Sequence, residues 1–354
     1  MYNVGFIVPN LGKGGLERVV SIIANTNCFK ENHKLTILTL TDSVVEYDFN
    51  HIEVIHLNKH YHKGILFKLV SFIKLYKVLK VKSFDCLFSF GEVFNPFTIL
   101  AAIFTRKKII ISDRSSPILH QNFRDKFLKH FLYPFADGII AQTELSKNIL
   151  LKRKLNSNIK VIPNPLERFV NNAIYARNKT VISVGRLIPS KNQEELIEIF
   201  SSVNLKDWKL IIVGDGELRN HLQHIIDSNL LDERVKLVGK QDNIEEWLKF
   251  ASIFAFTSLS EGFPNALNEA MAFPLACIAY DCPAGVNEII TQNENGIIIP
   301  FRDKDQYILK LKELMLSEEL RVHLMQNAIY NRSRFDKEVI ATRFINFAAE
   351  VINT

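Results

Sequence analysis

The sequence predicts an α/β protein of two domains, each a parallel sheet covered by helices, and three observations point there. At 354 residues the chain exceeds what one hydrophobic core usually supports, so two domains of about 170 residues follow from size alone. Short apolar runs of strand type alternate with stretches of helical period, the pattern of βα units feeding a parallel sheet. The alternation halts once, at Ile159-Lys-Val-Ile-Pro-Asn-Pro165, and restarts at Lys179; the two prolines there can continue neither a ladder nor a helix. The first domain is therefore placed at residues 1–165 and the second at 166–335, with 336–354 as a terminal helix.

Residues 3–9 make the first strand. It leads into Asn10-Leu-Gly-Lys-Gly-Gly-Leu-Glu-Arg18 and a helix whose apolar positions Leu16, Val19, Val20, Ile23 and Ala24 repeat with helical period. Gly12 and Gly14 match the opening of a dinucleotide fingerprint. Its third, helix-packing glycine would fall at position 17, which is Glu17, so dinucleotide binding is not expected.

Further strand-like runs lie at 34–40, 53–57, 86–90, 108–112 and 138–142. Residues 63–82 read as a helix with Leu66, Leu69, Val70, Ile73, Tyr76, Val78 and Leu79 set among six lysines, and no acidic residue occurs from Val54 to Phe84. The apolar residues are expected to form the stripe that packs on the sheet. The lysine face then meets either solvent or anionic lipid, with residues 124–133 as a second candidate for lipid. Ile111-Ser-Asp-Arg-Ser-Ser-Pro117 closes the fifth strand at its carboxyl end, where open α/β sheets bind ligands.

The second half opens with Lys179-Thr-Val-Ile-Ser-Val-Gly-Arg-Leu187, a strand and turn, and Ile188-Pro-Ser-Lys-Asn192 leads into a helix. Arg186 and Lys191 lie in that connection, where two fixed cations can neutralise a diphosphate. Lone basic residues in loops are usually just solvated; a second motif downstream favours the site. Residues 208–213 and 235–239 are the next strands, Trp247 is a core residue of a helix, and 275–279 and 297–299 are later strands. Three helices fill the rest from Asp303.

That second motif is Thr257-Ser-Leu-Ser-Glu-Gly-Phe-Pro-Asn-Ala-Leu-Asn-Glu-Ala-Met-Ala272, placed between an apolar strand and a good helix former with Pro264 at its first position. A helix start exposes unpaired N–H groups and about half a positive charge, so the turn Gly262, Phe263, Pro264, Asn265 is a ready anion site. Glu261 in the loop and Glu269 about one turn into the helix flank it. Carboxylates repel a bare phosphate but suit the hydroxyls of a sugar attached to one. A capped surface helix is the bland reading.

Hydrophobic content of 47% and charged content of 23% are ordinary for a globular protein. Cys28, Cys86, Cys277 and Cys282 show no CxxC pair and no metal-type histidine spacing, which suggests free thiols in a reducing compartment. No charged n-region follows Met1, so no signal peptide is expected. Glu92, Asn95 and Pro96 interrupt the most apolar stretch, so no spanning helix is expected either. Residues 1–165 hold 23 Lys and Arg against 12 Asp and Glu, and the remainder holds 21 against 26. The basic half implies an anionic partner.

The Ser-Glu-Gly-Phe-Pro-Asn-Ala-Leu-Asn-Glu motif, the Gly-Arg-x4-Lys spacing at Arg186 and Lys191, the Gly-Gly-x-Glu-Arg turn and the Ile-Pro-Asn-Pro segment resemble the retaining family 4 glycosyltransferases. The resemblance spans nearly the whole chain and implies the GT-B fold, two Rossmann-like domains facing a central cleft, with the last helix returning to the first domain. It implies that Arg186 and Lys191 clamp the donor diphosphate, that Glu261 bonds the sugar and Glu269 the ribose, and that the Gly14–Gly15 turn packs on the pyrophosphate. The loop 240–244 would pass the nucleobase. Arg114 stands on the acceptor side where many relatives carry a histidine; His120 is a weaker candidate for that role.

The wording looks most like bacterial enzymes that extend a lipid-linked oligosaccharide for O-antigen, capsule or exopolysaccharide. That implies a hexose or N-acetylhexosamine donated by a nucleotide sugar, with UDP the expected carrier, to a polyprenyl-pyrophosphate-linked glycan. The chain would act in the cytoplasm, peripherally on the inner face of the membrane. No cofactor is expected, the nucleotide sugar being a substrate, and no metal, since the one Asp-x-Asp, Asp303 and Asp305, opens a late helix as a cap. A sugar-nucleotide epimerase or a phosphorylase of the same fold stays open. A non-catalytic binder of an anionic polymer would explain the basic half, but the platforms needed for nucleic acid are not found.

Overall fold

The computed structural model describes the chain apart from residues 13, 43–44, 50, 60–63, 115–122, 168–177, 274 and 284, and apart from the side chains at 65 and 123–125. It divides into two units, Met1–Glu167 with Phe335–Thr354, and Arg168–Arg334.

The first unit runs β1 (Asn3–Val8), α1 (Gly15–Ala24), α2 (Asn27–Glu31), β2 (Lys34–Thr39), β3 (Glu53–His56), α3 (Ile65–Val81), β4 (Cys86–Phe90), α4 (Asn95–Thr105), β5 (Ile109–Asp113), α5 (Phe123–Leu132), β6 (Gly138–Ala141), α6 (Glu144–Lys152) and β7 (Ile159–Val161). Its sheet is ordered β3-β2-β1-β4-β5-β6-β7, and the recorded pairings are parallel. Central strands of such a sheet are covered on both faces. That is why Cys86-Leu-Phe-Ser-Phe90 and Ile109-Ile-Ile-Ser-Asp113 read as near-continuous apolar runs and are buried throughout.

Helix α3 departs from the expected stripe. Phe67, Ser71, Leu75 and Leu79 face inward, whereas Leu66, Leu69, Val70 and Ile73 are exposed, Leu66 to 71%. The physical reason is that the helix is apolar on both sides, so composition could not say which stripe the sheet takes. Lys74, Lys77 and Lys80 continue the outward face in its later turns. Phe104 of α4, Phe127 and Phe131 of α5, and Phe135 just after α5 are exposed as well.

The second unit runs β8 (Thr180–Val184), α7 (Gln193–Val203), β9 (Lys209–Val213), α8 (Arg219–Ser228), β10 (Val235–Gly239), α9 (Ile244–Phe250), β11 (Ile253–Phe256), α10 (Asn265–Ala272), β12 (Ala276–Tyr280), α11 (Val286–Ile289), β13 (Ile297–Ile299), α12 (Lys304–Leu316) and α13 (Glu318–Asn331). The order is β10-β9-β8-β11-β12-β13. Trp208, Phe200, Tyr280 and Tyr307 fill its core. Trp247, expected in the core, is half-buried. Asp303 caps α12, its Oδ1 accepting from the Gln306 amide at 3.0 Å.

The chain then returns to the first unit as α14 (Lys337–Ile352), started by Asp336, whose Oδ1 accepts from the Glu338 amide at 2.9 Å. The outgoing and returning segments are joined where the Leu166 amide donates to Phe335 O at 2.8 Å. Phe344 packs on Phe88 at 5.4 Å. Phe347 lies so close to Gly138 that a Cβ there would sit 2.5 Å from its Cζ. All four cysteines are unbridged. No helix among the described residues is long and apolar enough to cross a membrane.

Candidate active site

In the second unit the strand order reverses between β8 and β11, and an open α/β sheet binds ligands in the crevice at such a point, beyond the carboxyl ends of the strands. The loops leaving these strands are stitched together. Thr257 Oγ1 donates to the carbonyls of Lys191 and Asn192 at 3.3 and 3.1 Å, and the Leu259 amide donates to Ser190 O at 2.8 Å. The next loop along is tied in by Gly214, which has φ +143° and where a Cβ would lie 1.9 Å from Gly185 O. Only glycine fits that approach.

This stitching brings two residues of the sequence motifs into contact. Lys191 Nζ donates to Glu261 Oε1, with the two side chains 18% and 14% exposed. Behind them Asn192, in the left-handed region at φ 56°, donates to Glu195, whose other oxygen accepts from Tyr280 at 2.6 Å. Burial, reinforced by that carboxylate, pushes the Tyr280 hydroxyl far up. Burial and the charge of Glu261 push the Cys282 thiol up to about 12, so it stays a neutral wall rather than a nucleophile.

Beyond Glu261 the side chains of Phe263 and Pro264 are buried. What the turn can offer a ligand is therefore its backbone, at the start of α10. Pro264 precedes the first helical residue, Asn265, instead of being it, and gives the helix no side-chain cap. Glu269 lies one turn on, partly exposed. Arg186 is exposed, and no described residue partners its guanidinium; its carbonyl accepts from Gln193 Nε2 at 2.9 Å. The arrangement combines two cations and a helix start, which suit a diphosphate, with two carboxylates, which suit hydroxyls.

In the first unit Gly14 precedes α1 in an extended conformation, and Gly15 is the first helical residue. A Cβ at Gly14 would lie 2.1 Å from Glu17 Oε2, so the Glu17 side chain folds over that glycine; its burial pushes its carboxyl pKa up. Arg114 follows β5 and is partly buried. Its Nη2 donates to Asn164 Oδ1 at 2.7 Å, and its guanidinium lies 5.5 Å from the Phe90 ring centre. Burial brings its pKa down to about 10, which leaves it a cation at neutral pH. His120 lies outside the described residues. Sequence reasoning passed over Glu92, Asp113 and Lys129, which converge at the ends of β4 and β5. The signal was there: Glu92 stands just past a strand end, where this fold class places ligand-binding groups.

The family model for glycosyl transferases group 1 matches residues 166–330, and that for glycosyltransferase family 4 matches 13–168. The chain is 28% identical to the amylovoran biosynthesis glycosyltransferase AmsD of Erwinia amylovora, over 97% of this chain and 99% of that one. It is 26% identical to a Campylobacter jejuni α-1,4-N-acetyl-D-galactosaminyltransferase named for GalNAc-GalNAc-diNAcBac-PP-undecaprenol, over the full length of both. An uncharacterized glycosyltransferase of Methanocaldococcus jannaschii is 33% identical over 69% of this chain and 68% of its own. Among solved structures, Anabaena HepE in complex with UDP-glucose superposes with a TM-score of 0.82 at 18% identity, over 99% of this chain and 100% of that one. With both halves matched and full-length relatives alike, the chain belongs to the family 4, group 1 glycosyltransferases and has their GT-B fold of two Rossmann-like domains.

Proposed function

We propose that this glycosyltransferase moves a hexose or N-acetylhexosamine, with retention of anomeric configuration and without a metal, from a UDP-sugar to a polyprenyl-pyrophosphate-linked glycan in surface polysaccharide synthesis. The observation that carries the reading is the Lys191–Glu261 pair at the strand reversal, beside Arg186 and the start of α10. A diphosphate arriving there competes with the carboxylate for the ammonium and takes charge-assisted bonds from Lys191, Arg186 and the turn amides of Gly262 and Phe263. Glu261 is then released to accept hydrogen bonds from the sugar, and Glu269 from the ribose. As the glycosidic bond breaks, negative charge grows on the leaving diphosphate, and the same cations stabilise it.

The donor would be held by the second unit, and the first unit with Arg114 would take the acceptor. The Campylobacter relative supports a lipid-linked acceptor, AmsD supports a polysaccharide pathway, and HepE supports a UDP-sugar. The outward apolar and lysine face of α3 suits an anionic membrane surface, which would place the protein peripherally on the cytoplasmic side.

Thermal-shift screening with UDP, GDP, ADP and NAD, then radiolabelled transfer from the matching sugar nucleotides to membrane extract, tests the reading. Stabilisation by UDP and label in the lipid fraction, undiminished by EDTA, are expected. Stabilisation by NAD alone, or a sugar-nucleotide product formed without acceptor, would overturn it.

A further inference from the structure

The sheet of the first unit reverses its order between β1 and β4, as that of the second reverses between β8 and β11. In the second unit a carboxylate, Glu261, follows the strand beside the reversal and is held by a lysine. The first unit repeats the device. Glu92 follows β4, and Lys129 of α5 reaches it with Nζ 3.6 Å from Glu92 Oε2, while donating to Asp113 Oδ2 at 3.2 Å. Gly91, at φ +123°, turns the chain out of β4 beside Pro9, the residue that follows β1; a Cβ there would lie 2.9 Å from Pro9 Cγ.

The three charges are not equally accessible. Lys129 is 6% exposed and Asp113 is buried as well, whereas the Glu92 side chain keeps 20% of its surface. The Lys129 ammonium lies 5.4 Å from the Tyr133 ring centre. Burial, with the nearby charges of Asp113 and Glu92, pushes the Tyr133 hydroxyl far above its ordinary range. Stability does not call for such a set: taking ions out of water costs several kcal/mol each, and apolar residues of similar volume often do as well. What it secures is aim. Lys129 and Asp113 fix a carboxylate at the carboxyl end of the strands, where ligands bind, and an ionised carboxylate only accepts hydrogen bonds.

We infer that Glu92 forms a second sugar-hydroxyl site, receiving a hydroxyl of the acceptor glycan, with Lys129 and Asp113 as its positioning residues. The inference rests on the transfer reading above and concerns groups outside the donor machinery.

The test uses the full chain, the UDP-sugar selected by the donor screen, and lipid-linked glycan extracted from the producing cells. Glu92→Gln should raise the KM for extract by about tenfold or more, the scale of one lost hydrogen bond to a charged group, with the KM for UDP-sugar, the UDP thermal shift and the Tm unchanged. Lys129→Met should raise the KM for extract likewise, at a lower Tm because it leaves the buried Asp113 without its cation, and Lys129→Arg should recover part of both losses. An unaltered KM for extract in Glu92→Gln, or equal losses on the donor and acceptor sides, would overturn the inference. If Lys129→Met does not fold, Glu92→Gln decides, because that side chain is partly exposed. Absence of transfer by the wild-type chain would instead bring down the reading on which the inference rests.

Discussion

Lys191 and Glu261 form an ion pair that bridges the exit loops of β8 and β11, the two strands between which the second sheet reverses. The Gly-Arg-x4-Lys and Ser-Glu-Gly-Phe-Pro motifs are about seventy residues apart in sequence, yet one contact joins them. Burial costs both ions hydration, so such a pair adds little net stability, but removing one partner leaves the other charge uncompensated. The pair also keeps the ammonium where an incoming diphosphate would need it.

Replacing Lys191 with alanine should depress transfer more than about tenfold, the loss of roughly 1.4 kcal/mol of transition-state binding, while the chain stays folded. Steady-state rates and a thermal melt check it. Near-normal turnover would remove Lys191 from the diphosphate clamp.

Gly214→Ala should destabilise the second unit by on the order of 2 kcal/mol, because the new Cβ meets a backbone oxygen and not a movable side chain. Since that oxygen belongs to Gly185, next to Arg186, the thermal shift given by UDP should shrink as well. Urea melts with and without UDP separate the two effects; a wild-type melt would show that the loops yield more easily than their packing indicates.

Paired substitution of Leu69 and Ile73 by glutamate should weaken partitioning onto anionic vesicles by more than about tenfold without lowering the Tm, since both side chains are exposed and the new charges oppose both apolar insertion and the lysines' attraction. Binding to neutral vesicles should be weaker than to anionic ones at low salt. Equal partitioning of the wild-type chain to the two would sink the membrane reading.

The thiols of Cys86 and Cys282 are held protonated up to about 12, against an ordinary 9.0, chiefly by burial. Below pH 9 both folded and unfolded chains keep these protons, and the thiols add no pH dependence. Above it the unfolded chain loses them first, so stability should fall with a slope of about 1.4 kcal/mol per pH unit for each thiol. Urea melts of the wild type and of Cys282→Ala across pH 8 to 10 test this: the variant should lose the smaller amount.

Most of the secondary structure was legible because a parallel sheet covered on both sides writes itself as short apolar runs, as in 86–90 and 109–113. Residue order also marked out the candidate residues of the second half: Arg186, Lys191 and Glu261 sit in strand-to-helix connections, and Glu269 lies one turn into α10. Helix α3 was misread because its apolar residues lie on both sides and periodicity alone cannot choose the buried stripe. Glu92, Asp113 and Lys129 were passed over because they come from a loop, a strand and a helix far apart in sequence and share no local spacing.

The sequence by itself determined the alternation of strands and helices, the glycosyltransferase motifs and the basic character of the first half, because these are local patterns of residue type. Only the tertiary structure decided that Lys191 meets Glu261, that Lys129 lies buried between Glu92 and Asp113, and that Leu66, Leu69, Val70 and Ile73 turn outward. These depend on strand order and on which helix face the sheet covers. Both are settled by the packing of the whole unit, where burial of one face leaves the other to solvent or to a partner.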